Sequence, residues 1–164
     1  MPWNRGVLMK TRAAVTLALW GISLGIVYAQ TQKSTSKPLA STELDAAGIV
    51  AEVIESSRKD NVLTVRVRFR NTGDKTASLT LATAGQYDDN YISAAKTKYA
   101  VVRDSNGYVI ATPMNPGGEL SASIPKGKTW NWWAKFTAPP AEVKTYDLYL
   151  KVGPPIEEIP ILEK

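Results

Sequence analysis

The stretch VLTVRVRFRN, residues 62–71, alternates without a break: Leu63, Val65, Val67 and Phe69 are apolar, while Thr64, Arg66, Arg68 and Arg70 are polar. Successive side chains of a strand point to opposite faces, so this spacing puts four apolar residues on one side of a sheet and three arginines on the other. A helical turn would scatter both sets around its axis. Asn71-Thr72-Gly73-Asp74 follows with residues that tolerate turn dihedrals, and a second alternating run, ASLTLAT, occupies 77–83.

The same period predicts strands at Ile49–Ser56, Lys98–Asp104, Tyr108–Thr112, Glu119–Ile124, Thr129–Thr137 and Thr145–Lys151. Ser105-Asn106-Gly107 joins two apolar runs, and Asn-Gly in that setting is the strongest short hairpin signal. Pro125-Lys126-Gly127 and Pro139-Pro140 punctuate the rest. Beyond the N-terminus, helical periodicity never persists for more than about two turns. About seven or eight short antiparallel strands with frequent turn signals predict an all-β sandwich.

Three tryptophans fall within KTWNWWAKF, residues 128–136. On a strand Trp130, Trp132, Ala134 and Phe136 share one face, and Asn131, Trp133, Lys135 and Thr137 share the other. The first set is expected in the core against Leu63, Val65, Val67 and Phe69. Trp133 either packs beneath a neighbouring segment, the simpler reading, or stacks on a sugar ring or a partner's side chain.

The N-terminus has a different character. Arg5, Lys10 and Arg12 precede an uncharged stretch from Ala13 to Tyr28, and Val27-Tyr28-Ala29 provides small or aliphatic residues where a signal peptidase reads. Residues 1–29 are therefore expected to be a signal peptide cleaved before Gln30; the alternative is a retained single membrane helix, for which residues 13–28 are short. Export places the chain in the periplasm or outside the cell, or at the inner membrane if the segment stays. Residues 30–42 (QTQKSTSKPLAST) have the composition of a flexible linker, 43–152 hold the folded domain, and GPPIEEIPILEK at 153–164 forms a proline-containing tail.

Charge and chemistry narrow the function. The net charge of +5 falls to +2 once the first 29 residues are removed, with 17 basic against 15 acidic residues remaining. The remaining basic residues alternate with apolar ones instead of forming the dense footprint that phosphate binding needs, which argues against a nucleic-acid partner. The chain contains no histidine and no cysteine, so disulfides, thiolate chemistry and a Ser-His-Asp arrangement are unavailable to it. Neither a catalytic residue nor a cofactor is expected. Asp88, Asp89 and Asn90 supply oxygens that suit Ca²⁺ but lack the order of a dedicated loop, so a solvated loop is the expectation and calcium the alternative. Tyr87 and Tyr91 flank these residues and, with Trp133, complete the candidate binding set.

The segments VRVRFRNTGDKT, KYAVVRDSNGYVI, IPKGKTWNWWAKFTAPP and VKTYDLYL, in that order, resemble the immunoglobulin-like domains of bacterial cell-envelope proteins, in particular the DUF4352-like group. The resemblance covers residues 48–152 and rests on turn and core positions. It implies an immunoglobulin-like β-sandwich and a non-enzymatic exported module that binds or scaffolds another envelope protein or assembly. The alternative is a carbohydrate-binding domain using Trp133 and the Asp88–Asn90 loop. Similar modules are sometimes lipid-anchored, and this chain lacks the cysteine for such attachment.

Overall fold

The computed structural model describes residues 37–46 and 48–164, so the expected signal peptide or membrane helix and most of the expected linker lie outside the described residues. Among the described residues no helix is long and apolar enough to cross a membrane. They form an all-β structure of eleven strands: β1 (Ala40–Glu43), β2 (Ile49–Lys59), β3 (Val62–Asn71), β4 (Ala77–Ala82), β5 (Tyr91–Ala94), β6 (Thr97–Tyr99), β7 (Leu120–Ile124), β8 (Thr129–Thr137), β9 (Thr145–Tyr149), β10 (Ile156–Pro160) and β11 (Leu162–Glu163). One 3-10 turn, Tyr87–Asp89, precedes β5.

The strands assemble into three sheets. The first has the order β1-β2-β3-β8, with β11 added in parallel to the far end of β2; the second has the order β10-β9-β5-β6; the third pairs β4 with β7. β3 and β8 pair antiparallel without interruption from Val62–Thr137 to Arg70–Thr129. Directly paired residues share a face, so the alternation of both strands sums to one apolar and one polar surface. Leu63, Val65, Val67, Phe69, Trp132, Ala134 and Phe136 are fully buried, and Trp130 is half-buried with its ring stacked on Phe69 at 5.5 Å. They belong to a single hydrophobic cluster that also takes Leu79 and Leu81 from β4, Ile92 from β5, and Tyr146 and Leu148 from β9.

The C-terminal residues differ from the expected tail. Ile156 and Ile159 are buried, β10 pairs with β9, and β11 closes on β2. Two apolar residues three positions apart reach the same core because the register shifts between them and Glu158 takes a positive φ of 53°. Likewise β1 starts inside the expected linker, pairing with Val50–Val53 of β2. The expected strands at 98–104 and 108–112 become a short β6 and a hairpin. That hairpin interrupts a run along the free edge of β8: Val101 bridges Phe136, Ala111 bridges Ala134, and Arg103 bridges Val109 between them.

Polar side chains fix the corners. Asn71, 1 % exposed, donates from Nδ2 to the carbonyls of Lys75 and Ile124, and its Oδ1 accepts from the Gly73 amide, which locks the turn after β3 onto the end of β7. Gly48 lies so close that a side-chain carbon there would meet Gly73 at 2.8 Å, at a φ of +79° that favours glycine in any case. Arg58 points inward from β2 and donates to the carbonyls of Pro140 and Val143, holding the loop before β9. Ser56 Oγ and the Tyr146 hydroxyl are buried without a hydrogen-bond partner. Burial drives the Tyr146 phenol well above its ordinary value.

Removing Ile159 tests whether the last strands are core. Ile159→Ala is expected to lower unfolding free energy by about 2–5 kcal/mol, as for a fully buried aliphatic residue, measured by urea denaturation. A loss within about 0.5 kcal/mol, as at an exposed site, would return residues 153–164 to a tail.

Candidate functional site

The loop carrying the acidic and aromatic candidates serves mainly as a clamp. Tyr87 is buried; its hydroxyl donates to the Thr112 carbonyl at 3.1 Å and accepts from Trp132 Nε1 at 3.0 Å. Burial pushes its phenol up to about 12, against the opposing pull of the Trp132 hydrogen bond. Asp88 accepts both of its hydrogen bonds from Arg103 Nη2 at 2.9 Å, and Arg103 also donates to Gly107, fastening the loop to the hairpin. Asp89 faces Lys151 Nζ at 3.6 Å. Asn90 is fully buried, donating to the Leu81 carbonyl and accepting from the Lys151 amide.

These contacts set what the loop can do. Its two carboxylates each face a cation, and the Asn90 amide is occupied inside the fold. Among the described residues no group of three His, Cys, Asp or Glu side chains is placed to hold a metal ion. Tyr91 is set apart from its neighbours. It lies on β5, paired with Tyr149 of β9, and the two rings stack at 4.8 Å with planes 5° apart. Lys98 Nζ lies 3.9 Å from the centre of the Tyr91 ring, on the scale of a cation–π contact. Tyr149 and Lys98 were not legible as partners, because β5 carries only four residues and follows a polar loop.

Trp133 occupies the other side of the molecule's main sheet. Tyr87 reaches β8 through Trp132 on the core face, whereas Trp133, one residue on, points outward and is half-buried. The expected binding set therefore divides between opposite faces of β8. Thr112 holds the Trp133 backbone from the strand edge: its Oγ1 accepts from the Trp133 amide at 2.9 Å, and its amide donates to the Trp133 carbonyl at 2.8 Å. Across the sheet Trp133 pairs with Arg66.

The arginines of β3 complete this outer face. A bulge between Val53 and Glu55 adds a residue to β2, so Glu52 and Glu55 both land outward, opposite Arg68 and Arg66. Glu52, 5 % exposed, receives Arg68 Nε at 2.7 Å and Arg70 Nε at 3.0 Å. Burial alone would raise its pKa; the hydrogen bonds and charges of the two arginines outweigh that and hold the carboxyl below its usual value. Glu55 is held low by the Lys164 ammonium at 2.6 Å, against a smaller opposing effect of burial, with Arg66 at 3.5 Å adding to it.

No family model, curated protein or solved structure matches the chain. Function has to be read from the surfaces themselves.

Both carboxylates have depressed folded values, so their stabilisation is complete above the unfolded carboxylate value of 4.5 and disappears as pH falls through the folded values. Glu52→Gln should cost about 1.5–3 kcal/mol at pH 7, the range for a hydrogen bond to a charged group, and should flatten the fall in thermal midpoint below pH 4.5. An unchanged acid profile in this variant would remove Glu52 from the stabilising network.

Proposed function

We propose that this chain is a non-enzymatic, exported binding or scaffolding module of the bacterial cell envelope, built on an immunoglobulin-like sandwich and acting through protein contacts. The basic and apolar pattern of residues 1–29 supports export. The sheet orders β1-β2-β3-β8 and β10-β9-β5-β6 around one hydrophobic cluster support the sandwich, since the chain leaves the first sheet after β3, enters the second at β5, and returns to the first at β8 and β11. Without histidine or cysteine, acid–base work would fall to carboxylates, and Glu52, Glu55, Asp88 and Asp89 all face cations.

One observation carries the reading: Trp133 is held outward and half-buried on a regular strand, with Arg66 beside it across the sheet and Lys135 next on its own face. Tryptophan and arginine are the residue types that dominate protein–protein hot spots, and a side chain whose backbone is fixed at both polar groups loses little freedom on binding. The carbohydrate-binding alternative keeps Trp133 as a stacking ring but gains nothing from Tyr87 or Asn90, which are buried.

Affinity capture from the native envelope fraction, using the exported chain as bait, is expected to retain a protein partner in near-stoichiometric amount. Trp133→Ala should abolish that retention while leaving the thermal midpoint within a few degrees. Elution by soluble polysaccharide, with no protein retained, would favour the carbohydrate alternative.

A further inference from the structure

We infer that the outer face of the β2-β3-β8 sheet docks an acidic segment of the partner protein, with Trp133 as its central anchor. This rests on the protein-binding reading above. The face carries Lys59, Arg66, Arg68, Arg70 and Lys135 against Glu52 and Glu55, a net charge of +3. All described residues together, 16 basic and 15 acidic, sum to only +1. The positive charge is thus concentrated on one sheet face, and the rest of the domain is slightly acidic.

The geometry selects the partner's chemistry. Arg66 and Arg70 have side chains 51 % and 44 % exposed, and each guanidinium carries five N–H donors, more than its contacts to Glu55 and Glu52 use. Carboxylates suit these forks in pairs. Glu52 and Glu55 flank the arginine row from β2, opposite Arg68 and Arg66, and offset the positive track that a polyphosphate or a lipid surface would favour. The same two residues fix the arginine side chains, so little rotamer freedom is lost when a partner carboxylate arrives. Trp133 supplies the apolar contact that ionic pairs on a wet surface lack.

The test uses the full chain and a labelled twelve-residue peptide of alternating glutamate and valine. Anisotropy is read at low ionic strength, about 25 mM, where the Debye length is roughly 20 Å. Saturable binding is expected, weakened at least about tenfold by Trp133→Ala and by the double change Arg66→Gln with Lys135→Gln, which spares both partners of Glu52. The control pair Lys75→Gln with Lys126→Gln, in turns away from this face, should stay within about twofold. Inorganic polyphosphate and phosphatidylglycerol vesicles serve as competing anions. No peptide binding, equal loss in the control pair, or preference for polyphosphate or vesicles would each overturn the inference. If envelope capture retains a partner equally well on the Arg66→Gln, Lys135→Gln variant, the docking face is wrong while the protein-binding reading survives. If capture retains no protein, the reading itself fails.

Discussion

The pairing of β3 with β8, unbroken over nine residue pairs, decides both surfaces of the domain. Each pair commits two side chains to one face. On the inner side this assembles Phe69, Trp130, Trp132 and Phe136, the heaviest part of the core; on the outer side it sets Arg66, Arg68 and Arg70 against Trp133, Asn131 and Thr129, with Lys135 opposite Thr64. A slip of one residue would exchange the two sets, burying the arginines and exposing the aromatics, so the core and the candidate docking face are specified by the same register.

From that ladder the remaining structure is fastened by a few polar contacts. Trp132 Nε1 reaches the Tyr87 hydroxyl, which reaches Thr112, which in turn holds the Trp133 backbone. A core contact thereby positions both the acidic loop and the outward-facing indole. Deletion of Trp132 should therefore cost more than its apolar area, because the buried Tyr87 hydroxyl would lose the donor it accepts from and keep only its bond to Thr112.

Legibility followed from how far a segment obeys period two. β3, β4, β7, β8 and β9 were readable because their alternation is intact, and the bounds of β8 at Thr129 and Thr137 follow from it directly. β10 escaped because its bulge puts Ile156 and Ile159 on one face at a spacing of three. The β5–β6 hairpin turns through Ala95 and Lys96, both at positive φ, in a sequence with neither the glycine nor the asparagine that usually marks such a turn. Of the candidate site, Trp133 was placed outward by alternation alone. Tyr87 and Asn90 lie in a polar loop by sequence, and their burial is invisible there because it depends on Trp132 and Lys151, 45 and 61 residues away. The pairing of Glu52 with Arg68 and Arg70 was equally hidden, since it requires the register of β2 against β3 and the bulge within it.

On the proposed function, Trp133 belongs to an occupied interface in the native envelope. Hydroxyl-radical footprinting, carried out on intact envelopes and on the purified chain, addresses it directly, with Tyr108, 72 % exposed at the hairpin tip, as the internal reference. Trp133 is expected to be oxidised in the purified chain and protected several-fold in the envelope, while Tyr108 reacts alike in both. Equal oxidation of Trp133 in the two settings would contradict it.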